Sequence, residues 1–321
     1  MRMSASTTSA PTPLARFAAW LPTVPDRRVR VIAWLNFIGN VVIIATGGAV
    51  RLTGSGLGCP TWPLCTADSL VPVPGMEEGY HKYIEFGNRL MSPVLGILAL
   101  LLLVLVWRMR QERRDLFVLS WIVMGGIIAQ ALVGGITVWT GLNPFIVGFH
   151  YVASLTLVCI TAVLLWRVAS PTGPRERAVP TWYLIVTHVA TLAMAVSVIF
   201  GVLTTGAGPH SGDDDVLRRN GFDATLLEHI HAWPGYVLFA LTLVLAIAAW
   251  RQKLPTLRWV LLLLGVELVQ IAVGLYQARN GLPPLAVGVH MVLASLTAAA
   301  MVTVVMSLKR PVAPTPLTAQ A

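Results

Sequence analysis

Residues 130–150 read QALVGGITVWTGLNPFIVGFH, and residues 270–290 read QIAVGLYQARNGLPPLAVGVH. Laid together without a gap, Gln130 meets Gln270, Gly134 meets Gly274, Gly141 meets Gly281, Pro144 meets Pro284, Gly148 meets Gly288 and His150 meets His290. Each histidine then runs into a similar apolar tail, YVASLTL in one copy and MVLASLT in the other. A duplicated element that carries a histidine into an apolar helix marks an internal repeat and a candidate functional residue together.

Composition says which solvent the fold meets. The 321 residues are 56% apolar and 12% charged, with a mean hydropathy of +0.73. That describes a polytopic membrane protein rather than a soluble domain with a large core. A bilayer is crossed by about 20 apolar residues. Runs of that kind fall at 31–50, 83–107, 116–139, 144–166, 181–204, 226–249, 257–277 and 284–307. Eight transmembrane helices are predicted. No small-residue cleavage site follows the first, which reads as an uncleaved anchor. Residues 1–25 and 309–321 are expected to be disordered tails.

Basic residues set the orientation. With the N-terminus inside, Arg2, Arg16, Arg27, Arg28, Arg30, Arg108, Arg110, Arg113, Arg114, Arg167, Arg175, Arg177, Arg251, Lys253, Arg258, Lys309 and Arg310 all fall on the cytoplasmic side. The outer side keeps Arg51, Lys82, Arg89, Arg218, Arg219 and Arg279, together with most of the acids, Asp213, Asp214 and Asp215 among them. The positive-inside rule therefore puts both termini in the cytoplasm of a cell membrane. The net charge of +9 follows from this topology. It needs no nucleic acid, which would require a basic patch on a soluble surface.

The segment 169–180 divides the chain into two halves of four helices, 30–168 and 181–308, between tails 1–29 and 309–321. Four is even, so both halves enter the membrane in the same direction, a parallel repeat of two pseudo-symmetric four-helix bundles. Other positions repeat as well. HKYIEFGNRL in the second span answers TLLEHIHAWPGY in the sixth, setting Glu85 opposite Glu228 and Asn88 opposite His231. VRLTGSG answers VLTTGAG, matching Thr53 with Thr205 and Gly54 with Gly206. The long outer loops, 51–82 and 205–225, are the expected carriers of function.

Asn88, His150, His231 and His290 each lie five or six residues inside the outer end of a span. At about 1.5 Å per residue they share one depth, roughly 8–9 Å down. Two side chains level with each other on facing helices of a bundle can hold a flat metallo-cofactor, and neutral imidazole is an axial ligand of haem iron. In the second half that pair is His231 and His290. A lone intramembrane histidine can simply hydrogen-bond a carbonyl; two at matched depth, one of them duplicated, favour function. His81 and His229 sit at helix mouths, where solvation explains them. His188 reads as packing, and His210 as an outer-loop residue.

Glu85 lies one turn before Asn88 on the same face. A carboxylate there either pairs with Arg89 or Lys82 or serves proton transfer. Glu267 has no acidic partner in the third span and reads as a polar group facing the bundle interior. Cys59 and Cys65, in GCPTWPLC, can close a small disulfide on an oxidising outer face, with free thiols or a metal site as alternatives. Cys159 reads as a small apolar filler.

The strings GGAVRLTGSGLGCPTWPLC, IEFGNR and TTGAGPHSGD, with the twin histidine elements, resemble the haem A synthase family over residues 30–308. The resemblance implies two fused four-helix bundles and oxidation of the C8 methyl of haem O to a formyl group, with water as oxygen source. It implies haem b held by His231 and His290. Haem O would be taken near Glu85 and His150, with Glu85 as the catalytic carboxylate, and Cys59–Cys65 would match the family's outer-loop disulfide. Haem O synthase and oxidase assembly factors are the implied partners, and a homo-oligomer is compatible. The family commonly has histidine where this chain has Asn88, so His150 would ligate the substrate alone. Arg51 and Arg89, nearest the site among the outer cations, are the propionate candidates. A b-type cytochrome that only passes electrons would explain His231 and His290 but not Glu85. A transporter would place its polar residues near the midplane.

Overall fold

The computed structural model describes residues 12–210, 212–213 and 218–312. The outer parts of the expected tails, 1–11 and 313–321, lie outside these residues, as do Asp214 and Asp215. A short helix, α1 (Pro13–Trp20), precedes eight long ones: α2 (Arg27–Leu52), α3 (His81–Val106), α4 (Arg114–Trp139), α5 (Pro144–Val168), α6 (Thr181–Ala207), α7 (Ala224–Arg251), α8 (Leu257–Arg279) and α9 (Pro284–Ser307). Each of the eight is long and apolar enough to cross a membrane. The chain is an all-α, eight-span membrane protein, and the predicted runs find their helices within a few residues.

Local chemistry starts these helices where they start. Asp26 accepts the Val29 N–H at 3.1 Å ahead of α2, Asn143 accepts the Phe145 N–H at 3.0 Å ahead of α5, and Asp223 accepts the Thr225 and Leu226 N–H groups at 2.8 and 3.0 Å ahead of α7. Each satisfies donors that the first turn leaves open. Pro144 and Pro284, at the first helical position, cost nothing there because that N–H has no helical partner. The turn before each of these prolines repeats in backbone as well as in sequence. Gly141 and Leu142 have φ of 56° and 57°, and Gly281 and Leu282 have φ of 71° and 58°. A leucine is rarely left-handed; here the strain is held by packing of Leu142 and by a hydrogen bond from His210 to Leu282 O.

Helices α2, α3, α4 and α5 pack in succession, with α5 back against α2; α6, α7, α8 and α9 do the same, with α9 back against α6. The two groups meet where α2 and α5 lie on α9 and α5 lies on α6. Ile44, Val158, Ala162 and Ala299 form an apolar cluster across that seam. Large apolar side chains such as Trp34, Leu100, Ile128, Leu192 and Val244 face outward, while Asn36, Asn40, Thr161, Thr187, Thr242 and Glu267 are buried. That inversion suits lipid, which satisfies apolar surface and cannot satisfy polar groups.

The ends differ from the expectation of disorder. Residues 13–20 form α1, whose end is held by Arg108 bonds to Ala18 O and Leu21 O at 3.0 and 3.2 Å and by Arg28 over the Trp20 ring at 4.5 Å. The linker between halves contains β1 (Arg175–Arg177), antiparallel to β2 (Lys309–Pro311), with Arg310 paired to Glu176 at 2.8 Å. Charge-rich sequence concealed both: two exposed tripeptides gain backbone partners only when the fold brings them together.

Candidate functional site

His231 on α7 and His290 on α9 face one another with ring centroids 6.2 Å apart. His231 Nδ1 lies 2.8 Å from Ser197 O on α6. A carbonyl only accepts, so Nδ1 carries the proton and Nε2 keeps its lone pair. His290 Nε2 lies 3.2 Å from Gln270 Nε2 on α8, and His290 Nδ1 is buried without a partner. Glycines make the room for both rings. A Cβ at Gly201 would stand 2.8 Å from His231, and one at Gly274 would stand 3.0 Å from His290. Two neutral imidazoles so placed could hold one metal, His231 through its Nε2 and His290 through whichever nitrogen the Gln270 amide leaves open.

The first half is built differently. His150 on α5 lies over Gly134, where a Cβ would be 3.6 Å from the ring, and its Nδ1 is buried and unpartnered. Gln130 donates to His150 O at 2.9 Å and to Ser154 Oγ, binding the backbone of α5 rather than the imidazole. Asn88 on α3 accepts a hydrogen bond from Thr46 at 2.7 Å. Asn88 and His231 each come seven residues after their helix begins (81 to 88, 224 to 231), and His150 and His290 each come six (144 to 150, 284 to 290). The offsets therefore agree between repeat partners, α3 with α7 and α5 with α9.

Glu85, 5% exposed, is the centre of an outer cluster. Its Oε1 is gripped by Arg89 at 2.6 Å and 3.0 Å, and its Oε2 accepts the Cys59 N–H at 2.5 Å. Arg89 then reaches Cys59 O at 2.7 Å, Thr61 O at 2.9 Å and Leu64 O at 3.1 Å. These contacts use all five N–H donors of the guanidinium. Arg89 therefore has none left for a propionate, and its expected role gives way to that of a clamp on the first outer loop. Cys59 and Cys65 in that loop are joined by a disulfide, both fully buried. The loop is also stitched to α4: Trp139 Nε1 donates to Trp62 O at 3.1 Å, and the Trp62 indole lies against Gly135. Glu228, which answers Glu85 in the repeat, is exposed.

The second outer loop crosses to the first half. Ser55 and Asp213 form an isolated bridge, the Gly56 N–H donates to Gly212 O at 2.7 Å, and Arg218 donates to Thr140 O at 2.8 Å. Gly56 allows this approach, since a Cβ there would meet Gly212 O at 2.7 Å; a Cβ at Gly58 would meet the His81 backbone at 2.5 Å, so Gly58 instead lets the first loop lie on the start of α3. Arg51 reaches Thr205 O at 2.9 Å and leaves its Nε buried without a partner. Of the remaining outer cations, Lys82 is taken by Val73 O at 3.1 Å, and Arg279 is exposed. His81 meets Ser55 Oγ at 2.9 Å and His210 meets Leu282 O at 3.0 Å, loop contacts both. His188, expected to pack, lies on the exposed face of α6.

Sequence reading missed Ser197 and Thr46, which steady His231 and Asn88. Each is a small hydroxyl in an apolar run, eight or seven residues before the matched pair Thr205 and Thr53; that near-repetition was the available signal.

Known proteins resemble this chain over part of its length. A curated haem A synthase from Lysinibacillus sphaericus (strain C3-41) is 37% identical over 141 residues, covering 44% of this chain and 44% of the relative. One from Alkalihalophilus pseudofirmus is 28% identical over 151 residues, covering 47% and 49%, and one from Halalkalibacterium halodurans is 30% identical over 152 residues, covering 46% and 50%. The chain thus spans about half the length of the curated relatives it matches. The family described as cytochrome oxidase assembly protein, COX15-CtaA, matches residues 30–209, more than half of the 321. The chain belongs to the COX15-CtaA family of cytochrome oxidase assembly proteins.

Proposed function

We propose that this chain is a haem A synthase, an oxidoreductase that converts the C8 methyl of haem O to a formyl group. The change consumes one water and releases four electrons and four protons, the electrons leaving to an acceptor outside the chain. The observation that carries the reading is the inequality of the halves. One has two imidazoles facing at 6.2 Å. At the matching positions the other has one histidine, His150, with Asn88 in place of the second, and a buried carboxylate, Glu85.

In this reading residues 181–308 are the cofactor half, and His231 and His290 would hold haem b. The residues fit that group. Ser197 leaves Nε2 of His231 available, the glycines Gly201 and Gly274 clear the rings, and both helices are apolar around them. Haem b, when bound, supplies a one-electron redox centre. Residues 30–168 are the substrate half. His150 ligates haem O, and Asn88, held by Thr46, leaves the opposite side without an imidazole. Arg51, with its unpartnered buried Nε, is the propionate partner that remains. Glu85 receives protons released at the methyl carbon, and the disulfide loop above it restricts water. Residues 169–180 link two bundles related by a parallel repeat, which the matching packing rings and Gly-Leu turns support. Both termini are cytoplasmic, the haem sites lie near the outer face of the cell membrane, and haem O synthase and oxidase assembly factors are the natural partners.

Purification from cells supplied with haem O, followed by chromatography of the extracted haems, tests this. Haem b together with haem A is the expected result. Haem b alone would favour a plain electron-transfer cytochrome, which has no use for the buried Glu85.

A further inference from the structure

The two-stranded ribbon of β1 and β2 has two unlike faces. Across it Arg175 stands opposite Pro311, Glu176 opposite Arg310 and Arg177 opposite Lys309. Side chains alternate along a strand, and residues directly opposite one another share a face. One face therefore carries Glu176 and Arg310, joined in an ion pair at 2.8 Å. The other carries Arg175, Arg177 and Lys309, and none of these three enters an ion pair among the described residues.

Like charges directly opposite one another destabilise a ribbon, and here Arg177 faces Lys309. The surroundings add to that charge. Partial burial, with the nearby cations of Arg167 and Arg113, holds the Arg175 guanidinium below its ordinary 12.5, while Asp115 pulls it the other way. Asp115 is already engaged by Arg113 at 3.0 Å. Arg177 donates to the Thr181 hydroxyl at 2.8 Å, which brings its charge to the first turn of α6, where no side chain caps the open N–H groups. The positive-inside rule asks only for cations in the loops at this end. It gives no reason to set Arg177 against Lys309 while Glu176 faces away from both.

Position says which anion fits. β1 ends at Arg177, four residues before α6 begins at Thr181, and β2 starts at Lys309, two residues after α9 ends at Ser307. Trp166, Trp182 and Trp259 lie near the same ends of α5, α6 and α8. Tryptophans at span ends mark the level of lipid headgroups, and basic groups between spans at that level bind anionic ones.

We propose that the face formed by Arg175, Arg177 and Lys309 is a binding site for the phosphate of an anionic phospholipid. The guanidinium forks match phosphate oxygens. A headgroup held there joins the linker between the two halves to the end of α9. The site is independent of the haem A synthase reading.

Thermal unfolding of the purified full chain in detergent micelles, titrated with phosphatidylglycerol, tests this. The anionic lipid should raise the wild-type midpoint, whereas phosphatidylcholine or inorganic phosphate at equal concentration should not. Arg177→Gln with Lys309→Gln should bind phosphatidylglycerol about thirtyfold more weakly, at about fivefold for each basic residue near a membrane surface. Arg110→Gln with Arg251→Gln removes the same charge from exposed positions at the same end and should respond as wild type does. Lys309→Glu sets opposite charges across the ribbon, so it should unfold at or above the wild-type midpoint without lipid and gain nothing from phosphatidylglycerol. Equal responses to the two lipids, equal loss in both double variants, or a lipid-free Lys309→Glu that unfolds below wild type would overturn the proposal. A full response to inorganic phosphate would overturn the lipid as the occupant.

Discussion

The Arg89 guanidinium holds the Glu85 carboxylate at 2.6 Å and, with its other donors, the carbonyls of Cys59, Thr61 and Leu64. One residue thus fixes the carboxylate and the disulfide loop in a single frame. Arg89→Ala would leave Glu85 buried without its partner. Breaking a buried pair costs about 3–5 kcal/mol; with Arg89 17% exposed, about 2–4 kcal/mol is expected in thermal unfolding. Arg89→Lys should recover only part, having no fork to reach the loop. Arg89→Met combined with Glu85→Gln should be more stable than Arg89→Ala alone.

The glycines under the histidines rank themselves by clearance. Alanine at Gly201 or Gly274 would put a Cβ 2.8 or 3.0 Å from an imidazole, whereas at Gly134 it would sit 3.6 Å away, an ordinary contact. Gly201→Ala and Gly274→Ala should therefore displace His231 and His290 and lower haem b content. Gly134→Ala should leave haem b unchanged. The reduced absorption spectrum of each purified variant measures this.

The Cys59–Cys65 disulfide closes a loop of sequence separation 6. Chain-entropy arguments give a short loop of this kind about 2 kcal/mol of stabilisation. Cys59→Ser with Cys65→Ser should lower stability by that amount and open residues 59–65 to protease, with the helices intact by circular dichroism.

At the start of α2, partial burial pushes the Asp26 carboxyl up, but hydrogen bonds from the Val29 N–H and the Arg28 side chain, with the Arg28 charge, hold it below its ordinary 3.8. A depressed carboxylate stabilises the fold above that value and stops doing so as pH falls through its folded value. Amide protection in the first turn of α2 should therefore be constant from neutral pH down to about 5 and then fall on further acidification. In Asp26→Ala it should be low throughout.

The sequence displayed the eight spans, because lipid forces long apolar runs, and it singled out Asn88, His150, His231 and His290, because a polar residue in such a run is conspicuous. It did not display how Arg89 is used. Arg89 and Arg51 are both outer cations beside the site, and only loop geometry shows that one has every donor engaged while the other keeps a free Nε. Nor could the span pattern reveal α1 or the β1–β2 pair, since neither is a periodic apolar segment. Glu85 and Glu228 look equivalent in an alignment; their burial separates them because the disulfide loop covers only one.

The most direct test of the central claim is the haem content of Glu85→Gln purified from cells supplied with haem O. The account predicts haem b at the wild-type level, held by His231 and His290, with haem O accumulating and haem A reduced by about two orders of magnitude or more, as loss of a proton-transfer group does. Haem A formed at the wild-type rate by this variant would contradict it.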